Sequence, residues 1–198
     1  MTRIDVCIPS IPPRATLATR ALASVEAQTR TADRVIVYVD KERVGAAVSR
    51  NNALALATAE WVAFLDDDDW FLPQHLEALL ACAEETGADM VYPWFESNGT
   101  DPLFIDNEPA AFRPFDDKAR EWLIGRGNFI PITVLAKREM LLDVGGFQHP
   151  PNADDWNPCE DWGAWRALAL ANANIVHLPE RTWYWFRWYG HTSGRPWV

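Results

Sequence analysis

Four consecutive carboxylates, Asp66-Asp67-Asp68-Asp69, end the short apolar run Trp61-Val62-Ala63-Phe64-Leu65. A run of that length and composition reads as a buried β-strand. Its charges therefore sit where they repel one another and lose hydration. A divalent cation is the usual compensation: hard ions such as Mg²⁺ and Mn²⁺ take oxygen ligands and can bridge carboxylates to substrate phosphates. A solvated acidic turn is the plain alternative. The buried strand feeding directly into the run favours a metal–phosphate site. Two further polar features, Pro9-Ser10 and Asp40, also follow apolar strand-like runs.

The elements that must position these groups alternate. Residues 4–8 read as a buried strand, stopped by Pro9-Ser10-Ile11-Pro12-Pro13, and 14–28 have helical apolar spacing through Leu17, Ala21, Leu22 and Val25. Residues 34–39 are a second strand, 44–58 an alanine-rich helix and 61–65 a third strand. Pro73 suits the first position of a helix that Gly87 stops, and 90–93 form a fourth strand. Strand–helix alternation predicts a doubly covered, mostly parallel, Rossmann-like sheet with right-handed crossovers. Ligands bind such sheets beyond the carboxyl ends of the strands, where Pro9-Ser10, Asp40 and the aspartate run all converge.

The pattern then loosens. Residues 96–117 form an irregular, acidic, proline-punctuated stretch too long for an ordinary connection. A short helix over 118–123, a strand over 133–136 and a helix over 137–144 follow, the last ended by Gly145-Gly146-Phe147. After a second polar loop, 149–158, come a helix from 160 to 171, strands over 175–178 and 182–188, and a polar tail.

The 198 residues fit one domain with a substantial core, and 48% apolar content is that of a soluble globular protein. A net charge of −10 argues against a nucleic-acid partner, and the only lysines are Lys41, Lys118 and Lys137. Cys7, Cys82 and Cys159 are widely spaced, which points to a reducing compartment without a disulfide framework or zinc site. A strand pattern begins at once, no signal peptide precedes it and no apolar run reaches membrane-spanning length, so a cytoplasmic location is expected. Most of the eleven tryptophans should be core, with a few free to stack on sugar faces.

In order along the chain stand Val6-Cys7-Ile8-Pro9-Ser10, Val35-Ile36-Val37-Tyr38-Val39-Asp40 and Gly45 through Arg50-Asn51-Asn52-Ala53. Phe64-Leu65-Asp66-Asp67-Asp68-Asp69-Trp70-Phe71-Leu72-Pro73, Val144-Gly145-Gly146-Phe147 and Glu160-Asp161-Trp162 follow. Together they resemble the GT-A-fold family 2 glycosyltransferases, inverting enzymes that use a nucleotide-sugar donor. The resemblance covers nearly the whole chain. It implies a single GT-A domain over 1–198, with a nucleotide-sugar-binding half (1–95) and an acceptor-binding, catalytic half (96–198).

The resemblance also implies roles. Asp66-Asp67-Asp68 would be the D-x-D motif, with Asp68 and Asp66 on the metal, Mn²⁺ or Mg²⁺, and Asp66 and Asp67 also toward the nucleotide sugar. Asp69 would either cap the next helix or touch substrate. Pro9, Ser10, Asp40, Gly45 and Arg50 would contact the nucleotide, although Val39-Asp40-Lys41-Glu42 departs from the family's Asp-Asp-Gly-Ser phrase. Asp161 would be the general base and Glu160 and Trp162 acceptor contacts, while a helix start attracts acidic residues for electrostatic reasons alone. His191 would complete the metal site, or else be a solvated tail residue. Arg187, Thr192, Ser193 and Arg195 could close over the diphosphate, and Trp94, Trp156 and Trp162 could stack on the acceptor.

The expected reaction moves a sugar from a nucleotide-diphosphate sugar, a UDP-sugar first, to an acceptor hydroxyl on a glycan, protein or lipid. No Q-x-x-R-W signature occurs, which favours single transfer over polymerisation. Two other classes stay open. A nucleotidyltransferase making activated sugars shares the sheet and the metal but usually carries a glycine-rich loop after its first strand. A non-catalytic carbohydrate-binding relative would use the tryptophans and leave the aspartates unexplained. Oligomeric state is not encoded in any of these patterns.

Overall fold

The structure, a computed structural model, describes residues 2–98, 114–150 and 160–186. In chain order the elements are β1 (Ile4–Ser10), a 3-10 turn (Pro12–Arg14), α1 (Ala15–Glu26), β2 (Arg34–Val39) and α2 (Ala46–Leu56). Next come β3 (Trp61–Phe64), β4 (Trp70–Phe71), α3 (His75–Thr86), β5 (Met90–Ser97) and α4 (Asp117–Gly125). The last are β6 (Leu135–Lys137), α5 (Arg138–Asp143), α6 (Glu160–Leu170) and β7 (Ile175–Trp185).

The strands form one sheet in the order β2-β1-β3-β6-β5-β7-β4. β1 pairs in parallel with β2 and β3, and β5 with β7. Short β6 runs against β3 and β5, and short β4 against β7. The expected mostly parallel α/β sheet is therefore present.

Alternation along β1 and β3 explains why helices cover both faces. Ile4, Val6, Ile8, Trp61, Ala63 and Leu65 meet Ala21 and Val25 of α1 and Leu76 and Leu79 of α3. Cys7, Val62 and Phe64 meet Ala53 and Leu54 of α2, Leu123 of α4 and Trp162 and Trp165 of α6. Strands buried on both faces are apolar at every position. Burying a side chain such as Phe64 or Phe147 contributes roughly 2–3 kcal/mol before its lost rotamer entropy is counted.

The chain passes from β1 through α1 to β2, then returns through α2 on the opposite face to β3 on the far side of β1. Winding direction reverses at the β1–β3 boundary, and a crevice opens there at the carboxyl ends. Ser10 ends β1 and the aspartate run follows β3, so the fold brings them to that crevice.

Several boundaries differ from expectation. Residues 175–178 and 182–188 are read as two strands, but Ile175–Trp185 is continuous, with register shifts beside Pro93, Trp94 and Phe95. Pro179-Glu180-Arg181, which looks like a turn, lies opposite this irregularity. The strand expected at 133–136 is Leu135–Lys137 and antiparallel. Pro73 lies two residues ahead of α3, where its carbonyl accepts the Thr29 N–H (2.8 Å). β6 and β7, from beyond residue 96, are laid beside β3 and β5, so the two expected halves share one sheet. Among the described residues no helix is long and apolar enough to cross a membrane.

Candidate active site

Just past β3, Leu65 still donates to the Cys7 carbonyl (3.1 Å), and the chain then turns, with Asp69 N–H on the Asp66 carbonyl (3.1 Å). This tight turn gathers the carboxylates. Asp67, Asp68 and Asp69 are 1%, 3% and 2% exposed, so three adjacent carboxylates are removed from water together. Oxygens of Asp66, Asp68 and Asp69 lie within 4.8 Å of one another. An all-carboxylate set of this spacing suits a hard divalent ion. The Asp66 side chain, 32% exposed, opens the cluster toward solvent.

The protein's own groups answer the charge in part. Ser10 Oγ donates to Asp67 Oδ2 (2.6 Å), and Arg14 Nη1 pairs with Asp67 Oδ1 (3.1 Å). Arg14 Nη2 also pairs with Asp68 Oδ2. Arg20 Nη2 donates to the Asp68 carbonyl (3.0 Å), its guanidinium 4.0 Å from the Trp70 ring centroid and 4.3 Å from that of Phe186. Desolvation dominates nonetheless. It pushes the Asp67 carboxyl up to about 6 against the Ser10 bond and the Arg14 charge, with Asp68 and Asp66 adding to the rise. Asp69 is pushed well above the ordinary range by burial and by Asp66 and Asp68.

Asp69 does not cap α3: the N-cap is Gln74, and Asp69 Oδ1 accepts the Phe186 N–H (2.9 Å) instead. Sequence reasoning missed Asp69 as a member of the cluster. It also missed Arg14 and Arg20. Their placement after β1, in a loop and helix that topology carries to the carboxyl edge, was the available signal.

The second acidic group is joined to the first through Arg50. Arg50 on α2 is 6% exposed; its Nη2 contacts Asp66 Oδ1 (2.7 Å) and its Nη1 pairs with Glu160 Oε1. Glu160 and Asp161 occupy the first turn of α6. Burial raises the Asp161 carboxyl, aided by the Asp66 charge and opposed by Arg50 and the Trp162 N–H, which bonds Oδ1 at 2.7 Å. Next to Arg50, Asn51 clips the glycine turn after α5. Its Oδ1 accepts the Phe147 N–H (2.8 Å) and its Nδ2 donates to the Phe147 carbonyl (2.9 Å). A Cβ on Gly146, whose φ is +69°, would overlap Asn51 Oδ1, and one on Gly163 would overlap the Gln148 carbonyl. The small residues thus let the segment 146–148 pack closely against both α2 and α6.

Asp40 spends its carboxylate on its own loop, accepting from Gly45 N–H (3.2 Å) and Ser49 Oγ (3.1 Å). Desolvation pulls its carboxyl upward, but hydrogen bonds from Val44, Gly45, Ser49 and Arg43 prevail and hold it below the ordinary range. Gly45, at φ +104°, makes that closure possible. An open depression of about 330 Å³, lined by Tyr38, Asp40, Lys41, Val44 and Val48, flanks this loop. Pro9 is partly exposed beside Ser10 on β1.

Trp162 differs from its expected place. It is 4% exposed and its indole N–H donates to the Leu123 carbonyl (2.7 Å), so its ring packs in the core rather than facing an acceptor. Trp94 is partly exposed beside His177, with ring centroids 5.7 Å apart. His191, Arg187, Thr192, Ser193, Arg195 and Trp156 lie outside the described residues.

A mostly parallel sheet with aspartates at the end of β3 and helices on both faces is the GT-A fold. A family model described as glycosyl transferase family 2 matches residues 15–145, and the chain belongs to that family. Among solved structures, Staphylococcus aureus TarS 1–349 in complex with UDP-GlcNAc superposes with TM-score 0.69 at 17% identity, covering 100% of this chain and 62% of that one. S. aureus TarS matches with TM-score 0.67 at 18% identity, covering 94% and 37%. The chain therefore spans about three fifths of TarS 1–349. Curated protein sequences give no match. Glu160 and Asp161 lie beyond the residues that the family model matches.

Proposed function

We propose that this domain transfers a sugar, with inversion, from a nucleotide-diphosphate donor to an acceptor hydroxyl, in the manner of a hexosyltransferase and with a divalent ion at Asp66 and Asp68. The observation that carries the reading is Arg50, which ties Asp66 of the cluster to Glu160 of the α6 pair. Two acidic groups far apart in sequence are thereby held about one guanidinium, which supports an attacking hydroxyl and a departing diphosphate meeting there.

When bound, Mn²⁺ or Mg²⁺ would neutralise charge developing on the leaving diphosphate. Asp66 and Asp68 would hold the ion, with Asp69 close by; Asp67 is engaged by Ser10 and Arg14 and orders the turn. Asp161 accepts the acceptor's proton as its oxygen attacks the anomeric carbon and the sugar–phosphate bond breaks. Its raised pKa strengthens it as a proton acceptor. Glu160 and Arg50 position that end of the cleft. Pro9, Ser10, the Asp40–Gly45 loop and Arg50 are the donor-facing groups, and His191 is the remaining candidate for the ion.

A UDP-sugar is the first donor to test, since S. aureus TarS is solved with UDP-GlcNAc and with UDP. The acceptor class proposed is a hydroxyl of a glycan, protein or lipid. A cytoplasmic setting is part of the proposal, supported by the free thiols of Cys7 and Cys82. The deciding experiment is thermal unfolding with a panel of nucleoside diphosphates, each with and without Mn²⁺. A ligand of the native state raises the midpoint by mass action. A metal-dependent rise for one base is the expected result. No rise with any of them overturns the donor site and leaves a non-catalytic relative.

A further inference from the structure

Among the described residues three arginines face the aspartate turn, and they do so differently. Arg20 holds a main-chain carbonyl and lies against Trp70 and Phe186, contacts that an ion among the carboxylates would not take. Arg50 reaches Asp66 but is shared with Glu160. Arg14 alone of the three is bonded to Asp68 through a carboxylate oxygen, while its other nitrogen holds Asp67 (3.1 Å). Asp68 also shares with Asp66 and Asp69 a set of oxygens that all lie within 4.8 Å of one another. One oxygen of Asp68 thus serves an internal cation at the place where an external one would be held.

We propose that Arg14 is a resident counter-ion of the metal site: it holds Asp67 and Asp68 together without metal and yields Asp68 when a divalent ion binds. The inference rests on the metal reading above. Metal entry is then an exchange of cations. A positive partner on buried Asp67 and Asp68 offsets the cost of unpaired charge at this depth. A guanidinium is weakly hydrated and forked, so it can bridge two carboxylates. It also sits on the short turn Pro12–Arg14, closed by Arg14 N–H on the Ile11 carbonyl (2.9 Å), rather than deep within a helix. Displaced from Asp68, it keeps Asp67 and stays beside the phosphate-facing side of the cluster. The exchange lowers affinity for the ion alone and leaves a cation ready for a diphosphate that arrives with it.

The test is direct Mn²⁺ binding, by electron paramagnetic resonance of the free ion and by calorimetry, on wild type, Arg14→Met, Arg14→Lys and Asp68→Asn without nucleotide. Removing the competing pair should tighten Mn²⁺ binding about tenfold in Arg14→Met, equivalent to about 1.4 kcal/mol. Mn²⁺ should also raise the unfolding midpoint of that variant more than that of wild type. Arg14→Lys keeps a charge but cannot bridge two carboxylates, so it should lie between them; it keeps the test available if Arg14→Met does not fold. Asp68→Asn should abolish the binding. If Mn²⁺ binds at an Asp68-dependent site with unchanged or weaker affinity in both Arg14 variants, the exchange is overturned and the metal reading stands. If Mn²⁺ binds none of the forms, or binds Asp68→Asn as well as wild type, the metal reading falls and the exchange with it.

Discussion

Hydrogen-bonded aspartates stand at both ends of this sheet, and their surroundings differ in kind. At the amino ends, Asp5 Oδ2 accepts the N–H groups of Thr58 (2.7 Å) and Ala59 (3.0 Å), and Asp33 accepts that of Ile4 (2.9 Å). Asp89 accepts the Asn174 N–H (2.8 Å) and pairs with Lys137 (2.9 Å). Burial alone would raise the Asp89 carboxyl; these partners hold it below the ordinary range. At the carboxyl ends Asp67 and Asp69 are raised, by burial first and by the neighbouring carboxylates second. Aspartates answered by backbone amides knit turns together. Aspartates crowded against one another hold electrostatic strain that a ligand can relieve, a mark of functional sites rather than scaffold.

The largest effect expected from this contrast is catalytic. Asp161→Asn should lower kcat by about 10²–10⁴-fold while metal-dependent nucleotide binding is kept, because only the proton acceptor is removed. Steady-state transfer assays beside thermal-shift titrations check both halves. Transfer at the wild-type rate would put Asp161 with the scaffold aspartates and erase the distinction at α6.

Next is Asp5→Ala at the opposite end, a change of stability and not of chemistry. It strands the Ala59 N–H in the interior and frees that of Thr58, a loss of about 2 kcal/mol. Denaturant unfolding should show it, while the nucleotide-induced shift of whatever remains folded stays that of wild type. A change in nucleotide response would mean that the two ends of the sheet are coupled.

How much of this was legible beforehand follows the same division. The apolar runs of β1 and β3 are continuous because both faces are buried, and that of edge strand β2 is continuous although Val35, Val37 and Val39 are exposed, so the sheet and its carboxyl edge could be read from the chain. Convergence of Ser10 with Asp67 follows from that topology. The short strands β4 and β6 carry too few residues for a period to register. The continuity of β7 was hidden by the Pro179-containing irregularity that mimics a turn. For Arg14 and Arg20 the topology signalled only their edge of the sheet; their contacts and the burial of Asp69 were illegible because they depend on how a turn presents side chains in space. Trp162 was misplaced because a tryptophan beside an acidic pair gives no sign of which way its ring faces.

Two kinds of buried titratable group can also be separated by pH. His75, buried and stacked on Phe71 at 3.9 Å with Nδ1 bonded to Thr182 Oγ1 (2.8 Å), is pushed by burial down to about 3. Its neutral form is what folds, so its contribution is present above the unfolded value of about 6.5 and is lost as pH falls from there toward 3. The slope is at most about 1.4 kcal/mol per pH unit. His75→Phe should flatten the fall in stability between pH 6 and 4 in chemical denaturation. An unchanged slope would return the acid sensitivity to the amide-bonded aspartates.

The crowded carboxylates should behave with the opposite sign, and Asp69 isolates the effect. Its folded pKa lies above the unfolded value, so its contribution is fully present below about pH 4 and is lost as pH rises through the folded value. Asparagine keeps an acceptor for the Phe186 N–H and stays neutral at every pH. Asp69→Asn should therefore match wild type near pH 3.5 and exceed it at pH 7 by about 1 kcal/mol, the size of a typical functional-site relief. The same change removes an oxygen from the set shared with Asp66 and Asp68, so Mn²⁺ should stabilise the variant less than it stabilises wild type. A variant more stable without metal and less responsive to it would show that crowding at this end of the sheet is kept for a ligand. A variant less stable at pH 7 would show that Asp69 is scaffold after all, tied to Phe186 as Asp5 is tied to Ala59.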